Sequence, residues 1–280
     1  MANQLTYLQA LRRGQTQLTA AGQDSSAAQY LLTEAHGWTF TQLVQNYRAV
    51  MPAAESQTFQ QQLDRVANGE PAQYVLGRAN FYGRDFQVTA ATLIPRQETE
   101  ELVAWILDVT PPTPLRVLDV GTGSGAIAVS LKAEQPAWSV TASDISAGAV
   151  AVAQANAKNL AAPVTFVTGD LFEPVAGQRF DVIVSNPPYI DREEVDVMDE
   201  SVKRYEPEGA LFAANHGLAF YQRFAAELAT YLLPGGQFFA EIGYRQGAAV
   251  KTIFETALPT ATVTVRTDIN GHDRMVRVQL

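Results

Sequence analysis

Residues 115–128 read LRVLDVGTGSGAIA, and this stretch decides the fold. Leu115, Val117, Leu118 and Val120 make an almost unbroken apolar run, as expected of a strand buried on both faces. Glycines follow at 121, 123 and 125, and then a helix begins that carries Ile127 and Leu131. Glycine permits a tight turn and lets a ligand approach the backbone where a Cβ would collide. A buried strand feeding a glycine turn and a helix is the start of a βαβ unit.

The pattern continues outward from there. WSVTASD (138–144), VTFVT (164–168), FDVIVS (180–185), GQFFAEI (236–242) and ATVTVRT (261–267) read as further strands. Helical segments are expected over 146–159, near 215–232 and near 246–257. Such alternation predicts a mainly parallel sheet covered on both faces. The closing Asn270-Gly271 turn and RMVRVQL (274–280) leave no room for a crossover helix, so they should add an antiparallel strand.

Upstream the texture differs. Residues 1–70 show only helical periodicity, with one stripe at Phe59, Leu63 and Val66 and another at Leu43, Val44, Tyr47, Val50 and Met51. Residues 71–95 alternate apolar and polar positions around Gly77 and Gly83, which predicts a β-hairpin linker. The expected organisation is therefore a helical domain over 1–70, a linker over 71–95 and an α/β domain over 96–280.

Composition removes several function classes. The 280-residue chain has no cysteine, so thiolate chemistry and disulfides are excluded. Its three histidines, His36, His216 and His272, lack ligand-like spacing, so no metal site is expected. A net charge of −9 and a pI near 4.9 disfavour tight sequence-independent binding to nucleic acid. No apolar run approaches the ~20 residues of a bilayer span, so no membrane association is expected. The first 23 residues lack acids and include Arg12 and Arg13, but Leu5, Leu8 and Leu11 read there as an ordinary amphipathic helix. A cytoplasmic protein is the expectation.

Two motifs carry chemistry. Ligands in parallel sheets bind at the carboxyl ends of the strands, near the point where the strand order reverses. Asp144 follows the glycine loop at the distance expected for a carboxylate that binds a ribose diol. Asp119, just ahead of the glycines, would oppose a pyrophosphate but suit a cationic ligand. S-adenosylmethionine fits better than a dinucleotide, with Asp119 at its methionine end, Asp144 at the ribose and Asp170 (in TGDLF, 168–172) at the adenine amino group.

DVIVSNPPYI (181–190) supplies the second motif. Prolines cannot continue a central ladder, so the strand stops at Ser185 and leaves Asn186-Pro187-Pro188-Tyr189 on the same rim. The Asn186 side-chain oxygen and a carbonyl of the rigid turn, that of Pro187, offer two acceptors for a planar NH2 group. Tyr189 offers a flat face. Such a clamp works by positioning and electrostatic preorganisation rather than by a strong base.

SNPPYI beside VLDVGTGSGAIA resembles the amino-methyltransferases of planar NH2 groups. GEPAQYVLGRANFYGRDFQVTAATLIPRQETEELV (69–103) and the closing GHDRMVRV narrow the resemblance to the HemK/PrmC family, the peptide chain release factor glutamine N5-methyltransferases. It covers nearly the whole chain, and TLIPRQETE (92–100) is its most specific part.

The resemblance implies a Rossmann-like class I S-adenosylmethionine-dependent α/β fold with release factors as protein substrates, methylated on the glutamine of a Gly-Gly-Gln loop. Carried over by motif, Gly121, Thr122, Gly123, Ser124, Gly125, Asp144, Asp170, Leu171 and Asn186 would contact the cofactor. Asn186, Pro187, Pro188 and Tyr189 would clamp the glutamine. Family members often carry Trp in the place of Leu171, so packing on adenine would here be aliphatic. Arg96 and Glu98 are assigned only a supporting role. A ribosomal-protein glutamine or a DNA or RNA base stays open as the acceptor, because the four-residue motif is shared.

Overall fold

The computed structural model describes residues 5–280 and divides into two compact units. The first comprises the chain up to Arg78 together with Asp199–Tyr205, and the second comprises Ala79–Met198 and Glu206–Leu280.

In the first unit, five helices follow in order: α1 (Tyr7–Ala20), α2 (Ser26–His36), α3 (Phe40–Asn46), α4 (Ala53–Ala67) and α5 (Ala72–Leu76). Thr6 and Thr39 start α1 and α3 through reciprocal caps. Each threonine hydroxyl accepts from the N–H three residues on, and the glutamine there, Gln9 or Gln42, reaches back to the cap N–H. The apolar stripes meet in a core of Leu11, Leu18, Leu31, Leu43, Phe59 and Leu63. Gly14 lets α1 approach α4, since a Cβ there would lie 2.9 Å from a Leu63 methyl.

Two expectations about this part need correction. The stripe over 43–51 is not one helix: α3 stops at Asn46, Leu43 and Met51 are buried, and Val44 and Val50 are exposed. Met51 N–H instead donates to the Leu5 carbonyl and Val50 bridges to Thr6, which draws this stretch away from helix. Nor do residues 71–95 stand as a separate linker. Their first part is helix α5, which groups with the first unit, and their hairpin groups with the second.

The second unit opens with that hairpin, β1 (Arg78–Phe81) and β2 (Arg84–Gln87), which form a two-stranded sheet. There follow α6 (Gln97–Val109), β3 (Arg116–Val120), α7 (Ala126–Glu134), β4 (Ser139–Asp144), α8 (Ala147–Asn159), β5 (Thr165–Thr168) and β6 (Phe180–Ser185). A short helix α9 (Glu200–Tyr205) lies in the excursion assigned to the first unit. The chain then completes α10 (Ala219–Tyr231), β7 (Leu232–Glu241), α11 (Gly247–Ala257), β8 (Thr262–Thr267) and β9 (Asp273–Gln279).

Seven strands form one sheet in the order β5-β4-β3-β6-β7-β9-β8, parallel from β5 to β7, with β9 antiparallel to both its neighbours. Strand parity separates two cores. Val117, Val182, Val184, Phe239 and Met275 face α6, α7 and α8. Leu118, Val120, Ile183, Phe238 and Val276 face α10 and α11. Fully burying a side chain such as Phe238 contributes about 1.5–3 kcal/mol, which is why both faces are covered.

Register positions the site. Val120 pairs with Ser143 on one side and Ser185 on the other, so β3, β4 and β6 end level. The Ser185 hydroxyl also donates to the Val120 carbonyl at 2.7 Å, tying two of those ends together. The strand order reverses between β3 and β6, which opens a crevice at the carboxyl rim. Among the described residues no helix is long and apolar enough to cross a membrane.

Candidate active site

The rim of β3, β4 and β6 encloses a cavity. The glycine loop is one wall: Gly121, Thr122, Gly123 and Ser124 all line it. Gly121, Gly123 and Gly125 have φ of 73°, 55° and 83°, in the left-handed region that favours glycine. A Cβ built on Gly121 or Gly123 would meet nothing within 4 Å, so the loop presents bare backbone to open space. The Ser143 carbonyl accepts from the N–H groups of both Gly121 and Thr122, at 2.8 and 2.9 Å.

Asp144 ends β4 and lines the cavity. One of its carboxylate oxygens accepts from Gly123 N–H and the other from Ser146 N–H, both at 2.9 Å. It therefore joins the glycine loop to the start of α8, and its orientation is set before any ligand arrives. From α8, Asn156 is buried and donates to the carbonyls of Ser124 and Gln87, which locks the loop against the hairpin.

Asp170 and Leu171 also line the cavity. Asp170 is ion-paired with Arg223, whose two terminal nitrogens lie 3.2 and 2.6 Å from its oxygens. Leu171 is buried with a left-handed φ of 47°, unusual for a branched side chain, and presents an aliphatic surface.

Asp119 corrects the sequence reading. It does not line the cavity and has no exposed surface. It shares the strand face of Val117, so its carboxylate points beneath the loop toward α7. There it accepts from the Thr122 hydroxyl at 2.6 Å and from Ala128 N–H at 3.2 Å. Burial pushes its pKa up to about 7, against those two hydrogen bonds, and its second oxygen is unpartnered. One carboxylate oxygen thus braces the loop from beneath.

Asn186, Pro187 and Pro188 line the same cavity as the glycine loop. Tyr189, expected as a flat wall, is not among the lining residues. Its hydroxyl is drawn to the buried Glu241 carboxylate at 3.0 Å, and burial beside that charge raises its pKa. Its carbonyl is held by Gln246 at 2.9 Å. The Asn186 amide donates to the Thr99 hydroxyl at 3.1 Å.

Arg96 lines the cavity as well and pairs with the buried Glu206, which also accepts from Ile94 N–H at 3.2 Å. Glu98 lies in the first turn of α6, outside the cavity lining. Away from the cavity, Asp191, Glu193 and His216 bring ligand-type atoms within 4.8 Å of one another, a proximity hidden by their spacing in the sequence. His216 there lies 2.7 Å from Asp191 as an ion-pair partner.

Comparison with known proteins now bears on this geometry. Residues 9–77 match the PrmC N-terminal domain and residues 100–231 the Methyltransferase small domain. A release factor glutamine methyltransferase of Enterococcus faecalis is 44% identical over 269 residues, covering 96% of this chain and 97% of the relative. One from Bacillus subtilis is 42% identical over 278 residues, covering 97% and 96%. The chain belongs to the release factor glutamine methyltransferase family.

A Pyrococcus furiosus methyltransferase structure matches 78% of this chain and 98% of its own, with a TM-score of 0.54 at 16% identity. That likeness is one of fold: the second unit has the class I methyltransferase sheet. Within this family member, the polar residues behind the acceptor motif escaped the sequence reading. Thr99 within IPRQETE and Glu241 within GQFFAEI were given no role of their own. A carboxylate in the penultimate position of FFAEI, within an otherwise apolar strand, was the one available signal.

The loop geometry yields a direct expectation for Gly125, which ends the turn at φ 83°. A Cβ there would lie 3.1 Å from the Ala153 Cβ and 3.3 Å from its Cα. Gly125→Ala should therefore cost about 1–3 kcal/mol, from left-handed strain and from pushing α8 away. Urea unfolding midpoints of the two proteins check this.

Proposed function

We propose that this protein transfers the methyl group of S-adenosylmethionine to the side-chain amide nitrogen (N5) of the glutamine in the Gly-Gly-Gln loop of peptide chain release factors. One observation carries the reading: Asn186-Pro187-Pro188 and a bare glycine loop line the same cavity, in a chain whose relatives bear that activity in their names.

The cavity suits this cofactor in shape and charge. The open space over Gly121 and Gly123 admits a ligand against the backbone, Asp144 and Asp170 bring negative charge, and Leu171 and Ile145 bring apolar surface. Asp144 would hold the ribose hydroxyls, and Asp170 with Leu171 the adenine. Bound there, S-adenosylmethionine supplies an electrophilic methyl on a sulfonium.

The protein's own part is to make a poor nucleophile competent. An amide nitrogen has its lone pair delocalised into its carbonyl. The Asn186 oxygen and the Pro187 carbonyl accept its two hydrogens, which orients the nitrogen and makes it more electron-rich. Fixed proline φ angles keep that carbonyl in place. After transfer the nitrogen is cationic and acidic, so its proton leaves without a dedicated base.

The helical unit is assigned to recognition of the release factor body in the cytoplasm. Phe40 and Val44 lie one turn apart on α3, 56% and 42% exposed. Replacing both by Ser should raise KM for an intact release factor several-fold and leave KM for a short Gly-Gly-Gln peptide unchanged, since losing two exposed apolar contacts affects docking alone. Steady-state kinetics on both substrates check it.

Labelled S-adenosylmethionine incubated separately with release factor, ribosomal protein and DNA tests the whole reading. Label on the release factor is expected. Label confined to either other substrate would overturn it.

A further inference from the structure

Behind the acceptor motif runs a relay of donors and acceptors. The Asn186 side-chain NH2 donates to the Thr99 hydroxyl oxygen at 3.1 Å, and that hydroxyl donates to Glu241 at 2.6 Å. The other Glu241 oxygen accepts from the Tyr189 hydroxyl at 3.0 Å. One buried carboxylate thus holds Tyr189 directly and Asn186 through Thr99, gripping both ends of the Asn-Pro-Pro-Tyr turn. Its own strand end is pinned by the Tyr221 hydroxyl, which donates to the Glu241 carbonyl at 2.8 Å.

We propose that Thr99 and Glu241 are positioning residues for methyl transfer, holding the Asn186 amide with its NH2 turned inward and its oxygen turned toward the acceptor nitrogen. This rests on the function proposed above.

Proton count fixes the orientation of the amide. A threonine hydroxyl has a single proton, and Thr99 commits it to Glu241. Toward Asn186, Thr99 can then only accept. A flipped amide would set oxygen against oxygen with no proton between them, losing a hydrogen bond in a buried place. The relay therefore gives Asn186 one orientation, the one in which its oxygen is available to the cavity that the residue lines. Glu241 stands as the acceptor at both of its oxygens, taking hydrogen bonds from Thr99 and Tyr189, and the nearby Arg274 charge works against the burial that raises its pKa. Thr99 and Glu241 themselves are 142 positions apart, on α6 and β7.

Thr99→Ser and Thr99→Val in the full-length protein separate this role from simple packing. Serine keeps the relay, whereas valine keeps the shape and removes it. Thr99→Ser should hold kcat within about threefold of wild type, and Thr99→Val should lower it by about tenfold or more. For both, the S-adenosylmethionine Kd should stay within about threefold, because most of the proposed cofactor contacts come from the glycine loop, Asp144 and Asp170. Side-chain amide exchange of Asn186, followed by NMR, should be slow in wild type and Thr99→Ser and fast in Thr99→Val. The proposal is overturned if Thr99→Val turns over like wild type, or if serine loses as much as valine. It is also overturned if the wild-type Asn186 amide is unprotected, a readout independent of what the enzyme methylates. A wild-type protein that methylates no glutamine but shows the protected amide would instead overturn the reading of the reaction and leave the relay standing.

Discussion

Replacing Asn186 by Ala is expected to lower turnover by roughly 10²-fold or more, the scale seen when a preorganised polar contact to a reacting group is lost. Affinity for S-adenosylmethionine should stay close to wild type. Asn186 is one of several proposed cofactor contacts, and the others, the glycine loop, Asp144 and Asp170, are held by hydrogen bonds that do not involve it. The effect falls on turnover because an amide nitrogen becomes nucleophilic only while two acceptors hold its hydrogens. Removing one leaves the nitrogen less electron-rich and free to swing out of line with the methyl group. Single-turnover rates together with calorimetric cofactor binding separate these quantities. An unchanged rate would reduce the motif to a strand-ending turn.

The second large effect concerns pH. The Asp119 pKa lies at about 7 in the folded protein, raised chiefly by burial from an ordinary value of 3.8. The folded state therefore holds a proton that the unfolded state has already released between those two values. Its contribution to stability is full below about pH 4, diminishes as the pH rises, and is lost above about pH 7. From pH 5 to pH 8 this amounts to roughly 2–3 kcal/mol of lost stability at about 1.4 kcal/mol per pH unit. Glu241 is also raised by burial and acts in the same direction, so the wild-type profile alone does not isolate Asp119. Asp119→Asn does: its stability relative to wild type should improve by that amount between pH 5 and pH 8. Denaturant unfolding of both proteins across this range is the measurement, and parallel profiles would refute the assignment.

Much of this architecture was legible in single residues. LRVLDV announced a strand buried on both faces, and the glycines after it do adopt left-handed φ. The closing strand had to be antiparallel because the chain leaves no length for a crossover, and β9 pairs antiparallel with both neighbours. The rim shared by Gly121, Asp144 and Asn186 followed from strands that end level.

The failures have equally local causes. Asp119 sits on a strand covered on both faces, so no polar side of the strand showed which way it points. Its parity with Val117 sends it under the loop. Val44 and Val50 fit a helical stripe, but pairing with Thr6 and Leu5 competed for the backbone there. The partner of the Tyr189 hydroxyl, Glu241, is 52 positions away and left no local signal. The Thr99–Glu241 contact leaves no spacing signal of any kind. Polar networks assembled from distant strand and helix ends are set by tertiary register, which local periodicity does not encode.

The central claim is that a glutamine side-chain amide is the methyl acceptor. Fragmentation mass spectrometry of the Gly-Gly-Gln peptide, cut from a release factor incubated with S-adenosylmethionine with and without this protein, tests it most directly. The account predicts one added methyl on the glutamine side chain, present only with the enzyme and formed far more slowly with Asn186→Ala. An unmodified glutamine, with the methyl appearing instead on another residue or on nucleic acid, would contradict it.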